Sequence, residues 1–131
     1  MNKYKNIKSV VAIILKGNKI LLGRCLNGDD RYLKYCFPGG GREQGEFLFD
    51  TAERETYEET NLKVEALSTN PIISKDDNSV VYIFCKYIEG ETSPSNEFSN
   101  FIWHDINNNL PKETYSKNIE LLNIVKRLLT K

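Results

Sequence analysis

The chain lacks a long hydrophobic run, an excess of charge and a cysteine framework. Its longest unbroken apolar stretch, Val10 to Leu15, is far short of the ~20 residues that span a bilayer, so no membrane partner is expected. The lysine-rich start, Met1 to Lys8, has no long apolar stretch behind it, and a secretory signal is not expected either. Three cysteines, Cys25, Cys36 and Cys85, are odd in number and widely spaced, with no CxxC pair. They read as reduced core thiols of a cytoplasmic protein, not as disulfides or zinc ligands. Eighteen basic and eighteen acidic side chains give a formal net charge of +0, so nothing favours long nucleic acid. A hydrophobic content of 40% over 131 residues suits one domain, 1–131, with its own core.

Punctuation divides the chain. Val10 to Leu15 reads as a buried strand, Gly17-Asn18 as a hairpin turn and Lys19 to Cys25 as the returning strand. Leu26 to Tyr35 reads as a polar loop. Phe37-Pro38-Gly39-Gly40-Gly41, with its proline and three glycines, is expected to be irregular. A helix is expected over Leu48 to Thr60, closed by Asn61 in the left-handed conformation. Val64 to Ser74 reads as extended, Val80 to Ile88 as a strong strand and Phe101 to Trp103 as a short one. A last helix is expected over Ser116 to Leu129, with Ile119, Leu122, Val125 and Leu128 or Leu129 on its apolar face. Interspersed strands and helices favour a mixed sheet covered by helices.

Charge is unevenly spread within that frame. Between Glu43 and Leu62 there are seven acids and one base, Arg54. Glu55, Glu58 and Glu59 fall within about a 100° arc of the first helix, which they share with Leu48 and Ala52. The acids thus face the protein and not open water. Like charges at this spacing destabilise a helix by roughly 0.2–0.5 kcal/mol per pair, and no lysine stands near them. A divalent cation would relieve them. Carboxylates without His or Cys suit a hard cation, Mg²⁺ or else Mn²⁺. The glycine run just before the helix lets backbone approach a ligand or metal closely.

These pieces match a known pattern at its full spacing. Gly40, five residues, Glu46, seven residues, then Arg54-Glu55-Thr56-Tyr57-Glu58-Glu59-Thr60-Asn61-Leu62 resembles the Nudix box G-x5-E-x7-R-E-U-x-E-E-x-G-U, where U is aliphatic. Thr56 stands where the pattern has an aliphatic residue, and Asn61 where it has the second glycine. The resemblance, sharpest over 40–62, implies a Nudix-type α/β/α sandwich, a mixed β-sheet between helices. It also implies an Mg²⁺-dependent hydrolase of phosphoanhydrides that acts on a small nucleotide, as a monomer or homodimer. Carried over by position, Glu55, Glu58 and Glu59 become metal ligands, helped by the Gly39 carbonyl. Glu55 becomes the general base, and Arg54 orients the cluster by pairing with a box carboxylate such as Glu46. MutT-like members place a further glutamate before the last core strand, and Glu97 is the candidate here.

Substrate signals are weaker. For phosphate contacts Arg24 ranks first, then Arg42 and Arg31. Asn118, at the start of the last helix, is suited either to reading a purine or to capping. Tyr32, Tyr35 and Phe37 are suited to stacking on a base or to core packing. Similarity to ADP-ribose hydrolases would imply a proline sixteen residues past the box, where Asn78 stands. Similarity to dinucleoside polyphosphate hydrolases would imply a tyrosine near that place, and Tyr82 is displaced from it. A MutT-like pyrophosphatase acting on a purine nucleoside triphosphate, oxidised or not, remains as the default. The alternatives are ADP-ribose, sugar nucleotides or dinucleoside polyphosphates, or a non-catalytic nucleotide sensor.

Overall fold

The computed structural model describes residues 4–69 and 71–129. Eight strands and two helices follow in the order β1 (Ser9–Lys16), β2 (Lys19–Cys25), β3 (Tyr35–Cys36), β4 (Gly39–Gly41), α1 (Leu48–Thr60), β5 (Lys63–Ala66), β6 (Ile72–Ile73), β7 (Val80–Glu89), β8 (Phe98–Asp105) and α2 (Ser116–Leu129). The sheet runs β3-β2-β1-β7-β5, with β4 on β1, β6 on β7 and β8 on β2. Among the eight described strands only β1 and β7 pair in parallel and the other strand pairings are antiparallel; an isolated parallel bridge joins Tyr35 to Thr114. The sheet is therefore mixed.

Alternation along the central strands builds two cores. Val10, Ala12 and Ile14 of β1, Leu21 of β2, and Val81, Ile83 and Cys85 of β7 pack with Leu48 and Ala52 of α1. Their neighbours Ile13, Ile20, Leu22 and Phe84 pack with Leu121, Leu122 and Val125 of α2. Successive strand residues point to opposite faces, so strands apolar on both faces must be covered twice. That makes the α/β/α sandwich expected from the sequence.

Several local expectations change. The three glycines are not irregular: β4 pairs with β1 through Ser9↔Gly41, Val10↔Gly40 and Val11↔Gly39. Ladder bonds use backbone only, and a Cβ on Gly39 would collide with the Val10 carbonyl, so glycine makes this pairing possible. The loop expected to reach Tyr35 ends one residue earlier, because Tyr35 pairs with Arg24. In α2, Leu121 and not Ile119 completes the buried face; Ile119, Leu128 and Leu129 are exposed. The buried set Asn118, Leu121, Leu122 and Val125 keeps helical spacing but is turned by one row.

The cysteine expectation is overturned in part. Cys25 and Cys36 form a disulfide, while Cys85 is free and buried. Pairing of β2 with β3 at Gly23↔Cys36 and Arg24↔Tyr35 draws the two strand ends together, a closeness the sequence separation conceals.

Thr56 carries an energetic consequence. Its side chain is fully buried, and its hydroxyl has no hydrogen-bond partner among the described residues. An unpaired buried hydroxyl costs roughly 1–3 kcal/mol. Thr56→Val keeps the shape and removes that cost. We expect about 1 kcal/mol of added stability, read as a melting temperature raised by roughly 3 °C in thermal denaturation.

Candidate active site

The site is assembled where β4 meets α1. The helix ends as the sequence suggests: Asn61 adopts φ 69° and its N–H donates to the Tyr57 carbonyl. Leu48, Ala52 and Thr56 are buried beneath the helix, which turns Glu55 and Glu59 inward along the same face. Glu59 is only 8% exposed, and the Gly39 N–H donates to its Oε1 at 2.8 Å. The Glu55 carboxylate lies against Gly40, where a Cβ would overlap it. Glu58 remains on the rim, its side chain 54% exposed.

Arg54 organises these acids. Its Nε donates to Glu46 Oε2 at 2.8 Å and its Nη2 to Glu46 Oε1 at 3.0 Å. Its Nη1 reaches Glu55 Oε1 at 2.9 Å and Glu58 Oε1 at 3.2 Å. Nη2 also donates to the Gly41 carbonyl at 2.9 Å, and Glu43 lies 3.2 Å from Nε. One arginine thus serves four carboxylates and supplies the relief that no lysine gives. Fully buried Thr51 adds a hydroxyl to Glu46 Oε1 at 2.7 Å, a contact that residue type and spacing alone did not reveal.

Electrostatics divides the cluster. Arg54, then the Thr51 hydroxyl and the Glu43 N–H, hold the Glu46 carboxyl well below its ordinary range, at about 2. Burial pushes Glu59 up to about 8; nearby Glu55 and Glu97 add to the rise and the Gly39 N–H opposes it. Burial also raises Glu55, against the pull of Arg54. Glu59 therefore resists carrying charge until something positive arrives, whereas Glu55 already has Arg54 beside it.

Glu97 joins them. It lines a cavity of about 50 Å³ with Glu59, Gly39, Arg31 and Asn27, against the Cys25–Cys36 disulfide. Asn27 donates to Glu97 Oε2 at 2.9 Å. That volume holds an ion or a water, not a nucleoside.

The arginines are ordered differently from the sequence ranking. Arg24 stacks on Tyr35, with 4.7 Å from guanidinium carbon to ring centroid, and pairs with Glu113 at 3.5 Å. Arg42 donates to the carbonyls of Glu46 and Ile7 and so braces the loop before α1. Neither lines the cavity of Glu59 and Glu97; Arg31, ranked last, does. Asn118 is buried, and its Oδ1 has no partner among the described residues. Tyr35 sits at the edge of the α2-side core and Phe37 within it, while Tyr32 is exposed.

The donors fit a hard cation in type: inward carboxylates on a helix, Gly40 where a Cβ would overlap the Glu55 carboxylate, and no histidine or thiol among Glu55, Glu58 and Glu59. Among the described residues, no three His, Cys, Asp or Glu side chains already converge on one point, and Arg54 bridges Glu55 and Glu58. Binding a cation would require Nη1 to yield those oxygens while Glu46 keeps hold of the rest of the guanidinium.

A helix thus turns inward-facing carboxylates toward a glycine strand, on a mixed sheet between two helices. The match to the NUDIX domain family covers residues 5–123, so the chain belongs to that family and is a Nudix hydrolase. Solved relatives agree. A NUDIX hydrolase from Nitrosomonas europaea is 25% identical with a TM-score of 0.75, over 97% of this chain and 72% of that one. An ADP-ribose pyrophosphatase from Streptococcus suis is 25% identical with a TM-score of 0.71, over 94% and 91%. A UDP-X diphosphatase is 20% identical with a TM-score of 0.70; 95% of this chain is covered, but only 62% of that longer one.

Proposed function

We propose that this chain hydrolyses a nucleoside triphosphate to the monophosphate and pyrophosphate with Mg²⁺, Mn²⁺ being able to substitute. One observation carries the reading: Glu59 and Glu97 share a cavity with Gly39, Glu55 lies against the adjoining Gly40, and Glu59 is desolvated to the point of resisting ionisation. Such a grouping costs free energy unless a cation joins it. Glu55, Glu58 and Glu59 would hold that cation, with the Gly39 carbonyl as a further ligand. When bound, Mg²⁺ supplies charge for the phosphate oxygens and acidifies a coordinated water.

The remaining work falls to the side chains. Glu55, partly desolvated, takes the proton of the attacking water as general base, and Glu97 serves as a second acceptor or ligand across the cavity. Arg54, fixed by Glu46, keeps Glu55 and Glu58 in register, so that positioning and electrostatics dominate the rate enhancement. The buried, unpaired Asn118 Oδ1 supports a base-reading role. Tyr35, stacked under Arg24, is tied to the same turn by the Tyr115 N–H that its carbonyl accepts at 2.9 Å. No described helix is long and apolar enough to cross a membrane.

The test is a screen for pyrophosphate or phosphate release over nucleoside triphosphates, oxidised dGTP, ADP-ribose, sugar nucleotides and dinucleoside polyphosphates. The expected result is triphosphate turnover that requires Mg²⁺ and stops on chelation. Preferred turnover of ADP-ribose or a sugar nucleotide would replace the substrate assignment. No turnover, together with no Mg²⁺-dependent rise in melting temperature, would remove the catalytic reading.

A further inference from the structure

We propose that Arg31 is the side chain that holds the substrate's phosphate chain, and that the Cys25–Cys36 bond sets how firmly it does so; this rests on the hydrolase reading above. Arg24, Arg42 and Arg54 are all committed to partners within the fold. The Arg31 side chain makes no hydrogen bond or salt bridge among the described residues, and it lines the cavity that holds Glu59 and Glu97. A polyphosphate entering a site walled by carboxylates needs positive charge on its open side. A guanidinium fork suits phosphate oxygens in geometry as well as charge. An exposed arginine whose charge already acts on Glu59, at the rim of a desolvated acidic cavity, is placed to supply it.

The loop 26–34 is built to hold that side chain out. Its ends are tied by the Cys25 N–H to the Lys34 carbonyl at 2.9 Å and the Leu33 N–H to the Cys25 carbonyl at 2.7 Å. The disulfide closes the same root. At the tip, the Tyr115 hydroxyl donates to Asp30 at 3.0 Å. Gly28 has φ +87°, and a Cβ there would strike the Arg31 side chain, so the arginine lies directly on the glycine backbone. The loop also supplies Asn27, which holds Glu97. Opening the disulfide leaves the loop anchored at fewer points. The step transfers two electrons and two protons from a dithiol, whose own sulfurs become a disulfide. Cys85 does not compete, because burial pushes its thiol up to about 12.

Arg31→Gln, Arg31→Lys and Arg127→Gln are compared by steady-state hydrolysis of the preferred triphosphate and by calorimetric binding of inorganic tripolyphosphate with Mg²⁺. Arg127, exposed on α2 and not among the residues lining that cavity, loses the same charge. Arg31→Gln is expected to raise KM and the tripolyphosphate Kd by about 10- to 50-fold, the loss falling on KM more than on kcat. Arg31→Lys should recover part of it, and Arg127→Gln should stay within about two-fold. Unchanged tripolyphosphate binding in Arg31→Gln, or an equal loss in Arg127→Gln, overturns the assignment. If the wild type hydrolyses no nucleotide, the hydrolase reading fails, while tripolyphosphate binding still decides for or against Arg31. Reduction with dithiothreitol should raise KM by about 3- to 10-fold in the wild type and no further in Arg31→Gln. No change in the wild type, or the same change in both proteins, overturns the role of the disulfide.

Discussion

Replacing Arg54 by glutamine is expected to lower kcat by about 10²–10³-fold, with a smaller effect on KM. The guanidinium is the common partner of Glu43, Glu46, Glu55 and Glu58. Without it Glu55 and Glu58 lose the contact that sets their spacing, and misplacement by about 1 Å is enough for a hundred-fold loss. Lysine should not rescue, because one ammonium cannot hold Glu46 bidentately while reaching Glu55. The substitution should also destabilise the fold. Glu46, its side chain 15% exposed, would keep only the Thr51 hydroxyl and the Glu43 N–H. We expect a loss of about 2 kcal/mol, below the figure for a fully buried pair because both groups keep some water.

That loss has a defined pH dependence. The folded state holds the Glu46 carboxyl at about 2, below its ordinary 4.5. The pair therefore contributes its full stability above pH 4.5 and loses it as pH falls toward 2. Melting temperatures of wild type and Arg54→Gln should differ by several degrees at pH 7 and converge toward pH 2. A constant gap across that range would mean that Arg54 stabilises by packing and not by charge.

How far the sequence discloses this depends on the scale of the interaction. Helix α1 was legible to the residue because its period, its acidic content and the Asn61 cap are local features. The two-sided covering of the sheet was legible because β1, β2 and β7 are apolar on both faces. β4 was not: a ladder of three glycines has no side-chain pattern, and its existence depends on β1 some thirty residues away. The disulfide and the cavity beside it were hidden for the same reason, since only strand pairing brings 25, 36, 59 and 97 together. Glu97 could be nominated by resemblance alone, while its neighbour Arg31 was ranked last because sequence cannot tell which arginines are already taken. The short extent expected for β8, beginning only at Phe101, reflects Ser99 and Asn100, polar residues tolerated where strand pairing with β2 continues to Phe98.

Glu59→Gln should separate stability from function most sharply. In the metal-free protein Glu59 carries a pKa of about 8, raised by burial and by its neighbours Glu55 and Glu97. A group whose folded pKa is raised stabilises the fold while protonated, so its contribution is complete below pH 4.5 and fades as pH rises through 8. Glutamine keeps an oxygen for the Gly39 N–H without ever charging. The metal-free variant should match the wild type near pH 5 and exceed it by on the order of 2 kcal/mol at pH 9, read by chemical denaturation in the presence of chelator. Added Mg²⁺ should reverse the order. The wild type gains stability from binding through its ionised carboxylate, and the variant, short of one inward ligand, gains little. Its kcat should fall by about 10³-fold. If Mg²⁺ stabilised both proteins equally, Glu59 would not be a ligand, and the strain of burying it would need another explanation.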